Sequence, residues 1–292
     1  MNLEPFSKQQ NWLFPSRSLY QSMLLERKER YQLESNTFGK TLSGKKESVS
    51  LGCSPFHFRF FCFWQLKALY AWNSEIIYEG LQHIPKDRAC IFVMKHRGYS
   101  DITLHGFGNA WATSDETYNE TQNKLPENVK IRKILSEGKM CRFLMKEDLL
   151  SLPIGAHLVI NGGIPILQDH ETKALNNPEY NPDDPSVKDK IKKMSTWFSF
   201  KDSYREILDS LKQSQSIMIY GEATRVAGNK MGHLSLKFLK RLTKNDDTCF
   251  IPVGSTWKGK QKIIRYGLPC ELDQLRDHIA ELSEIPKSNY IP

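Results

Sequence analysis

Six short apolar runs recur from about residue 84 onward: Cys90–Met94, Arg142–Met145, Gly163–Leu167, Ser216–Tyr220, Cys249–Val253 and Lys262–Tyr266. Segments of helical periodicity, such as Trp197–Lys212 and Leu234–Leu242, lie between them. Runs this short, bounded by turn residues, read as strands. Strands alternating with helices predict an α/β fold, a mostly parallel or mixed sheet flanked by helices.

With 292 residues, 39% hydrophobic and 25% charged, the chain can bury a full core and suggests one large domain or one domain with appendages. Residues 1–50 read as a polar N-terminal helical appendage, with a short helix near Leu13–Gln32 and a Ser/Gly/Lys linker at Thr41–Ser50. Residues 51–80 form an aromatic segment, and 81–292 the main domain. Within that segment, PFHFRFFCFWQLKALYAW (residues 55–72) is far denser in aromatics than the 11% of the whole chain, with Arg59 and Lys67 its formal charges. Two readings stay open: a buried core helix, or an interfacial one whose Phe and Trp enter a headgroup boundary while Arg and Lys stay in water. Two polar stretches, Thr113–Lys139 and Asp169–Lys193, interrupt the pattern, and the Asn-Asn-Pro and Asn-Pro-Asp-Asp-Pro of the second predict loop.

Several classes are disfavoured. The six cysteines include no Cys-x-x-Cys pair, so neither a zinc site nor a disulfide framework is expected, and a reducing, cytoplasmic setting is the simpler reading. No metal-ligand cluster or internal repeat is visible. The first 50 residues lack the apolar stretch of a secretory signal. The longest uncharged stretch, Leu149–Gln168, is broken by Pro153, Gly155, Gly162, Gly163 and Pro165, so it predicts a buried helix, a turn and a strand, and no transmembrane helix. The net charge of +8 suggests an anionic partner. Nine basic residues between Val226 and Arg265, Lys262 among them, face only Asp246 and Asp247, which fits a solvated face or a surface for lipid headgroups, a nucleotide-bearing thioester or nucleic acid. No nucleic-acid motif accompanies them, so no nucleic-acid partner is expected.

Lys95-His-Arg-Gly-Tyr-Ser-Asp101 follows directly on the run ending at Met94. In a chain with 8 histidines and 33 acids, the spacing of His96 and Asp101 alone carries no information. On a continuous helix the two would diverge by about 140°, so they meet only if the segment turns between strand and helix, as Gly98 permits. At the carboxyl edge of a sheet such a pair can act as a general base, the carboxylate orienting the imidazole that removes a hydroxyl proton. The alternatives are a helix cap at Asp101 and an ordinary loop histidine. Ile217-Met-Ile-Tyr-Gly-Glu-Ala-Thr-Arg225 runs another strand into Glu222 and Arg225, a phosphate-binding arrangement or a surface salt bridge. Lys146 leaves a third strand and could supply a point charge. Pro252, in Phe250-Ile-Pro-Val-Gly254, predicts an edge strand.

In order and spacing these blocks resemble the glycerolipid acyltransferases, the family that includes 1-acylglycerol-3-phosphate acyltransferase. Lys95–Asp101 is similar to the family's His-x4-Asp motif, LSLPIGAHLVINGGIPILQ (residues 150–168) to its second block, Glu222-Ala-Thr-Arg225 to its Glu-Gly-Thr-Arg block, and Ile251-Pro-Val253 to the block that follows. The resemblance covers roughly Ile84 to Trp257. It implies transfer of a fatty acyl group from coenzyme A or acyl carrier protein to a lysolipid hydroxyl, with no further cofactor. It implies His96 as general base and Asp101 as its orienter, with Glu222, Thr224, Arg225, Lys146, Gly163 and Gln168 at the substrate. It also implies an acyltransferase-like α/β fold and a peripheral membrane location, the aromatic segment standing where an anchor is expected. The departures are Gln168 where the family has an arginine, Ala223 for glycine, Gly221 for proline and Lys95 for asparagine.

Overall fold

The structure is a computed structural model that describes residues 55–71, 75–95, 100–119, 123–146, 149, 158–159, 161–195, 200–223, 226, 228–243 and 249–292. The expected helix near 13–32 and linker at 41–50 lie outside the described residues.

Seven strands form one sheet: β1 (Glu75–Glu79), β2 (Cys90–Met94), β3 (Cys141–Lys146), β4 (Gly163–Ile166), β5 (Ser216–Tyr220), β6 (Cys249–Lys258) and β7 (Gln261–Tyr266), in the order β1-β7-β6-β2-β5-β3-β4. From β6 to β4 all neighbours are parallel; β6 and β7 pair antiparallel as a hairpin, and β1 runs parallel to β7. The sheet is therefore mixed, with a parallel block of five strands.

Helices cover both faces, in chain order α1 (Pro55–Ala71), α2 (Ser100–Thr113), α3 (Asn128–Glu137), α4 (His170–Asn176), α5 (Pro185–Ser195), α6 (Phe200–Lys212), α7 (Leu236–Leu242) and α8 (Leu275–Leu282). The period-2 pleat divides each strand between two cores. Cys90, Phe92 and Met94 join Phe58, Cys62, Phe107 and Ile134 under α1, α2 and α3, while Ile91 and Val93 join Ile207, Leu239 and Ile279 under α6, α7 and α8. Continuous burial of β2 follows, since a strand covered on both faces has no polar side to show. Each large apolar side chain removed from water, such as Phe92 or Phe107, contributes about 2 kcal/mol.

Helix α1 buries one face of its sequence and exposes another. Phe58, Cys62 and Leu66, four residues apart, are buried in the core, while Phe60 and Trp64 are each 56% exposed on another face. Strand β1, which follows it, pairs with β7, so this segment belongs to the same body as the rest of the described chain.

The structure differs from expectation in four places. Within 113–139 it has helix α3, which buries Ile131, Ile134 and Leu135 against the first core. Within 169–193 it has α4 and α5 where the prolines predicted loop. Asp169 caps α4 by accepting from the Thr172 N–H at 3.0 Å, and Asp184 accepts from the Ser186 N–H at 2.8 Å just before α5. Pro185 is the first residue of α5, where its missing N–H costs nothing. Strand β6, which contains Pro252, is interior rather than an edge; Pro252 pairs with Val93 of β2, and pairing with β7 begins only at Val253, so on that side the imide nitrogen falls just beyond the β6–β7 ladder. Finally, Glu75–Glu79 forms β1, a strand that the run of apolar segments from residue 84 onward does not include.

Candidate active site

The loops carrying the sequence blocks leave the sheet at one edge. β2, β5, β3 and β4 are consecutive parallel neighbours, and their carboxyl ends lead to Lys95, Gly221-Glu222, Lys146 and Gln168. Open α/β sheets bind ligands along this edge, where helix amino ends and loop residues converge.

Asp101 lies in the first turn of α2, where unpaired backbone N–H groups favour a carboxylate. It is fully buried, and its Oδ1 accepts from Lys262 Nζ at 3.2 Å. Lys262 is itself 1% exposed and lies over the Trp257 ring at 5.3 Å. One helical turn on, His105 is buried, its Nδ1 3.4 Å from the Tyr266 hydroxyl, and burial pulls its imidazole down to about 4, so it stays neutral. Tyr78 and Tyr266 are pushed well above the usual phenol range, again mainly by burial.

A second buried ion pair lies beside the first block. Lys95 Nζ donates to both Glu222 carboxylate oxygens at 3.3 Å and to the Val226 carbonyl at 3.2 Å. The Gly232 N–H donates to Glu222 Oε1 at 2.7 Å, and Asn176 Nδ2 to the Glu222 carbonyl at 2.9 Å. Glu222 thus ties the end of β2, the turn after β5, α4 and the 226–232 segment together. Both charges stand where only an ionic partner makes burial tolerable.

Ala223 has φ 55°, the left-handed region that glycine adopts without strain. Gly221 is required for a different reason: its hydrogen points between Leu234 and Val93, where a Cβ would come within 2.9 Å of both. Gln168 Nε2 donates to the Ala223 carbonyl, and Gln168 Oε1 accepts from Lys173 Nζ at 3.3 Å. Lys146 is exposed at the end of β3. Gly163 opens β4 in a tight position, where a Cβ would lie 2.7 Å from Met145 Sδ and 2.8 Å from the Leu158 carbonyl oxygen.

The structure therefore groups Lys95, Glu222, Ala223 and Gln168, and places Asp101 against Lys262. His96, Thr224 and Arg225 lie outside the described residues. Sequence reasoning passed over Lys262, Asn176 and Gly232. Lys262 counted as one of a basic run on a solvated face, yet it alternates inward with Ile264 and Tyr266, a pattern legible in Lys-Ile-Ile-Arg-Tyr. In that run Lys237 and Lys258 are exposed and paired with Glu171 and Glu284. Among the described residues no helix is long and apolar enough to cross a membrane, and no cluster could hold a metal ion.

No family model matches the chain, and no curated protein matches it. Among solved structures it is similar to the crystal structure of the 1-acyl-sn-glycerophosphate (LPA) acyltransferase PlsC from Thermotoga maritima, at 17% identity and a TM-score of 0.45, covering 79% of this chain and 76% of that one.

Proposed function

We propose that the chain is an O-acyltransferase that moves a fatty acyl group from a thioester, acyl-coenzyme A or acyl carrier protein, to the hydroxyl of a lysophospholipid or glycerol-phosphate-type lipid. The observation that carries this reading is the convergence of the motif blocks: Lys95–Asp101, the Glu222 turn, Lys146 and Gln168 all follow carboxyl ends of adjacent parallel strands. In this reading His96 takes the proton from the acceptor hydroxyl as its oxygen attacks the thioester carbonyl. Asp101 orients the imidazole and stabilises the imidazolium that forms. The hydroxyl oxygen bonds to the acyl carbon, the C–S bond breaks, and the proton held by His96 leaves with the thiolate as free thiol. Arg225, with Lys146 and the amide of Gln168, binds the acceptor's headgroup, with Thr224 beside it, while Gly163, at the amino end of β4, acts only by letting that strand pack against Met145 and Leu158. Glu222 acts by holding the turn that carries Arg225. The exposed Phe60 and Trp64 of α1, flanked by Arg59 and Lys67, form the face through which the protein sits peripherally on a membrane.

A second reading is a membrane-binding protein that keeps this fold without the chemistry. It is favoured by the left-handed Ala223 and by the uncharged Gln168 at a position where the family carries arginine.

Thiol release by the purified protein and by His96→Ala, in vesicles with a panel of acyl thioesters and lysolipids, separates the two. Release that requires both an acceptor and His96, falling at least 100-fold in the variant, is the expected result. Unchanged release in His96→Ala rejects the general-base assignment. Silence across the panel from folded, vesicle-bound protein selects the second reading.

A further inference from the structure

Cys90 and Cys249 are the first residues of β2 and β6, which are parallel neighbours, and they stand opposite each other in the ladder. Paired residues of parallel strands point to the same face, and both side chains enter the core under α1, α2 and α3. Adjacent strands run about 4.8 Å apart, within the Cα separation that a disulfide spans. Both cysteines are free thiols.

Their surroundings set this pair apart from the other described cysteines. The Cys90 thiol, as hydrogen-bond partner, holds the Cys249 thiol down to about 7 against the burial that would raise it, and the Arg88 guanidinium adds to the effect while Asp87 opposes it. The same contact, followed by burial, pushes Cys90 well up. The pair therefore gives up one proton near neutral pH and keeps the other between its two sulfurs. Burial raises Cys62 and Cys141, and it raises Cys270 to about 11. Cys249 is 4% exposed and Cys90 not at all, so a water-sized oxidant meets Cys249 first.

We propose that Cys90 and Cys249 form a peroxide-reactive dithiol, with Cys249 the attacking sulfur and Cys90 the resolving one, that closes reversibly to a disulfide. The Cys249 thiolate attacks one peroxide oxygen, the O–O bond breaks, and the departing hydroxide takes a proton from solvent to become water. Cys249 is left as a sulfenic acid. The Cys90 sulfur then attacks the Cys249 sulfur, the S–O bond breaks, and the hydroxide leaves as water with the Cys90 proton. Two thiols have lost two electrons and two protons, and peroxide has become two waters. An external dithiol reverses the closure by exchange. The pair lies at the amino ends of β2 and β6, across the sheet from the edge that carries Lys95 and Glu222, and its chemistry stands whether or not the chain transfers acyl groups.

The test is hydrogen peroxide added to the native protein, then alkylation of the remaining thiols, digestion and mass spectrometry, with circular dichroism recording that the fold persists. The expected product is a Cys90–Cys249 cross-linked peptide that dithiothreitol removes, formed about tenfold or more faster than Cys62 or Cys141 is oxidised. In Cys90→Ser a dione probe should trap the sulfenic acid on Cys249, and in Cys249→Ser the Cys90 thiol should stay reduced. Oxidation of Cys62 and Cys141 in step with the pair would mean that unfolding exposes the thiols, and it overturns the proposal. So does a disulfide to any other cysteine, Cys53 included, or a folded wild type that keeps both thiols reduced. The wild-type map decides even if neither variant folds.

Discussion

Ala223 holds a left-handed backbone that costs an L-residue about 1 kcal/mol, and it does so inside the turn that follows β5. The turn is held from three directions, by Lys95 on the Glu222 carboxylate, by Asn176 on the Glu222 carbonyl and by Gln168 on the carbonyl of Ala223 itself. Such over-determination is what lets strain persist. Ala223→Gly should therefore raise stability by about 0.5–1 kcal/mol in urea denaturation, despite the extra freedom glycine gives the unfolded chain. A loss of stability would mean that the methyl group packs usefully. His105 sets a second expectation. Its folded value of about 4 lies below the ordinary value of 6.5, so the unfolded chain takes up the proton first as pH falls. The contribution is therefore fully present above pH 6.5 and lost as pH drops through 4, for about 3 kcal/mol in all. Denaturation midpoints between pH 7 and 4.5 should fall steeply in the wild type and less in His105→Gln; equal slopes would assign the acid sensitivity to other groups.

Secondary elements differ in how plainly their residues declare them. β2, β3, β4, β5 and β6 were legible because a strand buried on both faces must be apolar almost throughout, and β7 through Ile263, Ile264 and Tyr266 despite Lys262 and Arg265. β1 was not, since Glu-Ile-Ile-Tyr-Glu carries charges at both ends and alternates for only five residues. Helix α3 was missed because it buries only Ile131, Ile134 and Leu135 in ten residues, too sparse a stripe to stand out in a polar stretch. In 169–193 the prolines pointed to loop, whereas Asp169 and Asp184 accept at the starts of α4 and α5, a capping pattern that the sequence carried. The helix with most to say about function is α1, whose residue types left core and interface unresolved. The structure gives it one buried face and one exposed aromatic face, and the exposed face makes a direct prediction. Replacing Phe60 and Trp64 together by serine should weaken binding to anionic vesicles by about tenfold or more, because both rings lose the apolar burial that insertion would provide. Folding stability should change by no more than about 0.5 kcal/mol, since each ring is already 56% exposed. Undiminished co-sedimentation would remove this face from the membrane reading.

Across the whole molecule, the sequence carried the order of the blocks but not the long-range partners that make a site of them. Nothing in Lys95-His96 names Glu222, 127 residues away, and nothing in Asp101 names Lys262, 161 residues away; both pairings follow from strand order, which brings β2 beside β5 and β7 beneath α2. The same logic reaches the end of the described chain. Ile291 donates to the Met231 carbonyl at 2.9 Å, and Arg276 joins the carbonyls of Ile291 at 2.7 Å and Gly232 at 3.0 Å while lying over the Tyr290 ring. Those contacts brace residues 231–232, and the Gly232 N–H is a donor to Glu222. Deleting residues 290–292 removes the bonds of Ile291 to Met231 and Arg276, of Tyr290 to Lys287 and of Pro292 to His233, and with them about 4 kcal/mol of stability at roughly 1 kcal/mol per hydrogen bond. Amide exchange should then accelerate at Gly232 well beyond the change in the central strand β2, because the loss is local to one side of the Glu222 network. Exchange at Gly232 that rises only in step with β2 would show that Lys95 and Asn176 hold Glu222 without help, making the 290–292 segment a contributor to global stability alone.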